Sequence, residues 1–255
     1  MIAQFALRLL CGMSLMWSIM PRDKVTVGFF RIQMLLALGL SVLVALTLNS
    51  AGGAESIWGQ PAALGGCISL AATAFVGSVV WTLGRRRAGA GCVYTIAIVS
   101  ILLLLSVRTS SANSLLTPIG LLGAASELSS GMMVGGTVTA MLLGHWYLTA
   151  PTMSIAPLSR LTGYLHVAIW IRLLLSGAAL WLAWDQISAP EQWTWLSLRW
   201  LAGIFGLLAV IFLVGRILRY RNTQSATGVL FAGVILTFIG ELSASLLERE
   251  LSIPM

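Results

Sequence analysis

A chain of 255 residues in which 58% are hydrophobic and only 9% charged, with a mean hydropathy of +0.94, cannot build the water-facing surface of a soluble domain, where about a quarter of residues are charged. The net charge of +7 comes from basic residues set singly or in threes between apolar runs, which argues against a nucleic-acid partner and reads instead as a topology signal. Cys11, Cys67 and Cys92 form no C-x-x-C spacing and read as packing residues that report no redox compartment.

Apolar runs long enough for a hydrocarbon core of about 30 Å recur near residues 2–20, 31–49, 62–83, 91–107, 118–148, 163–184, 196–217 and 225–247. The expected fold is all-α: a polytopic membrane bundle of about eight transmembrane helices, forming one transmembrane domain over residues 1–255. The first run lacks a basic leader and a small-x-small cleavage site, so it reads as a span and not as a signal peptide. The fifth run is too long for one straight crossing, at about 46 Å for 1.5 Å per residue, and must tilt, kink or begin at the interface. Pro118 suits its first turn. Gly131 and Gly135, then Gly136, Ala140 and Gly144, allow close approach of other helices and mark this run as the centre of the bundle. No inverted repeat relates the first four runs to the last four, which weakens the common transporter architectures.

Basic residues give an independent check on the count. With eight spans, the odd-numbered connections hold Arg22, Lys24, Arg31, Arg85, Arg86, Arg87, Arg160, Arg216, Arg219 and Arg221. The other side holds Arg108, Arg199 and Arg249, with the acidic Glu55, Asp185, Glu191, Glu248 and Glu250. This bias places both termini outside, in a membrane of the bacterial cytoplasmic type. Trp181, Trp184, Trp193, Trp195 and Trp200 gather at the outer connection between spans six and seven, and Trp17, Trp81 and Trp146 at predicted inner ends, as headgroup anchors would. The stretch from Trp184 to Trp195 reads as an interfacial loop or short helix lying on the outer surface.

Ionisable residues inside a span are costly and are therefore default site candidates. Here they are Arg8, Glu127, His145, His166, Arg172 and Glu241. Arg172, near mid-membrane, needs a partner, and Arg8 is expected to pair with Glu127 or Glu241. Glu127 and His145 lie 18 residues apart, five whole turns, and so share a face of span five. The only two histidines, His145 and His166, fall one turn from the inner ends of consecutive spans. If they share a space, they offer the two axial imidazoles of a b-type haem, with Arg160 near its propionates, or a quinone or proton site. As separate interfacial residues they would have no shared role. The basic stretch around Arg216–Arg221 could meet anionic lipid or a partner subunit, or act simply as positive-inside anchoring.

No phosphate loop, zinc-ligand set, nucleophile elbow or catalytic triad is present. Three functions stay open. One is a membrane subunit of a redox complex, whose soluble redox domain would come from partner subunits. The others are a non-catalytic scaffold or assembly protein, and a small-molecule transporter. The topology is directly testable: alkaline phosphatase joined after Met255 is expected to be active, and a green fluorescent protein at the same point dark. The opposite result inverts the assignment.

Overall fold

The computed structural model describes residues 2–50, 59–108, 117–150 and 152–251, without the side chains of residues 49, 50 and 108. Glu55 and the Arg108 side chain, two of the outer-side charges above, lie outside the described residues. Every regular element described is helical. The elements are α1 (Ile2–Ile19), α2 (Val27–Ser50), α3 (Gly59–Thr82), α4 (Arg86–Arg108), α5 (Pro118–Thr149) and α6 (Ala156–Ala183). A continuous rod follows, made of α7 (Pro190–Leu198), a π-helical segment (Arg199–Gly206) and α8 (Leu207–Arg219), and then α9 (Thr223–Leu251). Single 3₁₀ turns cover Arg22–Lys24 and Trp184–Gln186.

Helix ends carry local signals. The Thr117 side chain accepts from the Gly120 amide at 3.0 Å, with Pro118 behind it. Gly84, at φ +70°, ends α3 in a Schellman pair: Gly84 N–H donates to Trp81 and Arg85 N–H to Val80. Asn222 caps α9 through the Ser225 amide at 3.0 Å, just after Arg221 turns the chain at φ 56°.

Seven described helices are long and apolar enough to cross a membrane, one fewer than the eight runs read from the sequence. The difference is α5. Its buried residues include Ser126, Ser129, Ser130, Gly131, Gly135, Gly136, Thr137, Thr139 and Gly144, small or hydroxyl groups that lower its hydropathy because they face protein and not lipid. The seven others leave large apolar side chains such as Leu46, Leu174 and Phe212 exposed, as a lipid solvent requires. The protein is a multi-pass membrane helix bundle.

The helices alternate in direction. At one end, Arg8 of α1 meets Glu127 of α5 and Glu248 of α9. At the other, Arg86 donates to the Arg22 carbonyl at 2.6 Å and Trp146 to Thr26 at 2.7 Å. The basic connections expected on the inner side are thus gathered at one end of the bundle.

Several helices begin earlier than the apolar runs do: α2 at Val27, α4 at Arg86, α6 at Ala156 and α7 at Pro190. Hydropathy reads only the part of a helix inside hydrocarbon, whereas the backbone stays helical through an interfacial turn. The Trp184–Trp195 stretch is accordingly corrected. After one 3₁₀ turn it forms the start of the 30-residue rod and not a separate helix on the surface. Trp17 and Trp81 are also corrected, since both are fully buried. Trp81 stacks on Phe30 at 4.4 Å and neither is a headgroup anchor.

Glycine sets the tightest approaches. A Cβ on Gly12 would lie 1.7 Å from the Gly131 carbonyl oxygen, and one on Gly135 2.2 Å from the Met13 amide nitrogen. The backbones of α1 and α5 therefore touch directly. Gly136 is covered by Leu165 of α6, Gly144 by Thr227 of α9, and Gly240 of α9 meets Gly203 of the π segment. Replacing Gly12 or Gly135 by valine is expected to cost about 3 kcal/mol or more through overpacking, seen as loss of the monodisperse species in detergent. Gly65→Val, with open space at that position, is the matched control.

Candidate functional site

The buried charges form two linked clusters. In the first, the Arg8 guanidinium grips Glu127 as a fork, Nε to Oε2 at 2.6 Å and Nη2 to Oε1 at 2.7 Å. Gln4 donates to the same Oε1 at 2.7 Å. Arg8 also reaches Ser245 Oγ at 3.1 Å and Glu248 at 3.4 Å. Of the two partners offered to Arg8 by the sequence, the fold selects Glu127.

In the second cluster, two guanidiniums share one carboxylate. Arg172 Nη2 lies 3.1 Å from Glu241 Oε2 and its Nε 3.3 Å from Oε1. Arg199 Nη1 donates to Oε1 at 2.5 Å, and Ser130 donates to Oε2. The spare donors go to hydroxyls and backbone: Arg172 Nη1 to Ser126, and Arg199 Nη2 to Ser176 at 2.8 Å. Ser245 Oγ, which accepts from Arg8, donates to the Glu241 carbonyl at 2.9 Å and joins the clusters. At 1.5 Å per residue, these groups lie roughly 9–17 Å inside the helix ends opposite the basic connections. Relative exposures of 0–4% for Arg8, Glu127, Arg172, Arg199 and Glu241 mean that water cannot substitute for any of these partners.

Arg199 corrects the sequence reading, which placed it in the outer connection. It is buried because the rod begins at Pro190, which carries residue 199 about two and a half turns below the helix start. The missed signal is within the sequence: residue 199 falls inside the apolar run 196–217. The hydroxyl residues that complete the network, Ser126, Ser130 and Ser176, gave no signal of their own. Arg199 Nε takes no hydrogen bond among the described residues.

The histidines do not meet. His145 is exposed near the end of α5, on a face that is sealed at Glu127 and open here, so the expected polar track is not continuous. His166 lies ten residues into α6, deeper than expected because α6 starts at Ala156 and not near 163. Its neighbour Leu165 packs over Gly136, nine residues from His145 along α5, a difference in height of roughly 13 Å. Arg160 is exposed near the start of α6. The fold therefore does not assemble a bis-histidine haem site from this pair.

What His166 does line is a groove of about 450 Å³ between α6 and the rod, with Trp170, Phe205, Leu208, Ala209 and Phe212. Trp170, Phe205 and Phe212 are each about half exposed, so the groove opens toward lipid. Nδ1 of His166 lies 2.9 Å from the Thr162 carbonyl. A carbonyl can only accept, so Nδ1 carries a proton, and in the neutral imidazole the lone pair lies on Nε2. A second cavity, about 550 Å³ at the basic end, is lined by Tyr147, Ser154, Arg221 and Thr223 among others. Among the described residues no group of three His, Cys, Asp or Glu could hold a metal ion.

No known protein family, curated protein or solved structure matches the chain.

The two-to-one stoichiometry at Glu241 makes a testable distinction. Glu241→Gln leaves two buried guanidiniums without a counter-charge and is expected to cost about 3–5 kcal/mol. Arg199→Met leaves Arg172 and Glu241 as a neutral pair and is expected to cost clearly less. Thermal unfolding in detergent compares them, and equal losses would make Arg199 the principal partner of Glu241.

Proposed function

We propose that this protein is the membrane subunit of a redox complex and that it binds a lipophilic quinone-type carrier in the His166 groove. The observation that carries this reading is an imidazole whose proton is committed to its own helix, set in an aromatic groove that opens to lipid. The head of such a carrier is a flat ring with two oxygens, suited to Trp170, Phe205 and Phe212 on its faces and, in its hydroxyl form, to one hydrogen-bond acceptor at its edge. Its isoprenoid tail stays in the bilayer, which is why such a site opens sideways and not to water. A haem held by His145 and His166 is not put forward, because the two imidazoles sit at different heights. The electron-accepting centre would belong to a partner subunit.

Binding tests this. Protein in nanodiscs titrated with a decyl-chain benzoquinone is expected to show saturable quenching of tryptophan fluorescence. Ala209→Trp, which fills the groove from an exposed position, should abolish it. Undiminished binding in that variant would move the site elsewhere.

A second reading, a scaffold that organises other membrane subunits, is favoured by the charge network. That network joins α1, α5, α6, the rod and α9, with each buried charge in contact with an opposite one, as an architectural lock would. Under it no carrier binds, and Ala209→Trp leaves the assembled complex intact.

A further inference from the structure

The groove has a polarity that sorts the two oxidation states of its ligand. We infer that, in the carrier site proposed above, His166 selects the reduced, hydroxyl-bearing form of the carrier, with Nε2 accepting a hydrogen bond from a quinol O–H. The inference rests on that site assignment and on one further observation, the direction of the His166 hydrogen bond.

Nδ1 is 2.9 Å from the Thr162 carbonyl oxygen, the oxygen one turn earlier in α6. Because that oxygen has no proton to give, the imidazole must donate through Nδ1. The neutral ring then has one function left, a lone pair on Nε2, the nitrogen farther from the helix, and among the described residues nothing donates to it. A quinone carries two carbonyl acceptors and would set a lone pair against a lone pair. A hydroquinone carries O–H donors and completes the ring's hydrogen bonding.

The rest of the lining does not undo this choice. Phe205, Leu208, Ala209 and Phe212 have no polar side-chain atoms. Trp170 has one N–H, which can donate to a carbonyl or a hydroxyl oxygen alike and so does not discriminate. Selection falls to His166 alone, and the carbonyl that holds its tautomer belongs to the backbone, which side-chain substitution does not remove.

The test compares a decyl-chain benzoquinone with its hydroquinone, made by dithionite reduction under argon, on protein in nanodiscs. The probes are titrated against wild type, His166→Leu and His166→Gln. The hydroquinone is expected to bind about tenfold more tightly than the quinone, the effect of one hydrogen bond. His166→Leu should bring it down to the affinity of the quinone, while His166→Gln, whose amide can accept from a hydroxyl and donate to a carbonyl, should bind both forms without the tenfold preference. If both forms bind equally to wild type, or His166→Leu weakens both alike, the selection is overturned and the groove remains a carrier site. If neither form binds to protein that is monodisperse, the carrier site itself is overturned.

Discussion

A carboxylate inside a membrane has no water to fall back on, and in this protein two of them, Glu127 and Glu241, decide which helices must meet. Glu127 binds α1 to α5 through Arg8. Glu241 draws Arg172 from α6 and Arg199 from the rod onto α9. Hydrophobic burial cannot choose among arrangements here, since lipid tails and leucine side chains are equivalent surroundings. Directional, charge-assisted bonds can, because any other arrangement leaves an ion stranded at a cost of several kcal/mol. The lipid-facing surface can then be almost featureless.

The close approach of backbones serves the same end. A guanidinium fork reaches a carboxylate on a neighbouring helix only if the helix axes are near, and the glycines of α1 and α5 bring those axes together next to Arg8 and Glu127. Gly203 and Gly240 do the same beside Arg199 and Glu241. The Gly131 Cβ position lies 3.0 Å from the Arg8 carbonyl oxygen, so the contact and the ion pair occupy neighbouring turns. The small residues that lower the hydropathy of α5 are thus the same ones that make it central.

How much of this could be read from residues alone follows from what each signal measures. Apolar runs and the side-to-side imbalance of arginine anticipated the helical segments, their order and the gathered basic ends, with one span more than the seven helices apolar enough to cross, because both respond to the bilayer and not to partners. The glycine stripe of α5 located the centre, since only a helix surrounded by helices can spare its large side chains. Arg8, Glu127, Arg172 and Glu241 stood out as ions in apolar runs, yet their pairing depended on tertiary geometry. Arg199 went unnoticed because it sits one turn inside a run whose helix begins six residues earlier. The two histidines seemed level only because the start of α6 was placed at the edge of its apolar run. The groove beside His166 was invisible, for it is made by residues 35 or more positions away on another element, Phe205 through Phe212.

The π-helical segment has a mechanical consequence. Arg199 opens it and Phe205 lies near its end, so one short stretch of backbone both holds the outer ion pair and forms a wall of the groove below. A π turn carries a residue more than an α turn and can pass that excess along the helix. Anything that spreads Phe205 from His166 therefore strains the registration of Arg199 on Glu241, and anything that loosens that ion pair softens the groove wall. By reciprocity, the buried Arg199–Glu241 pair and the groove wall would be coupled through this one segment.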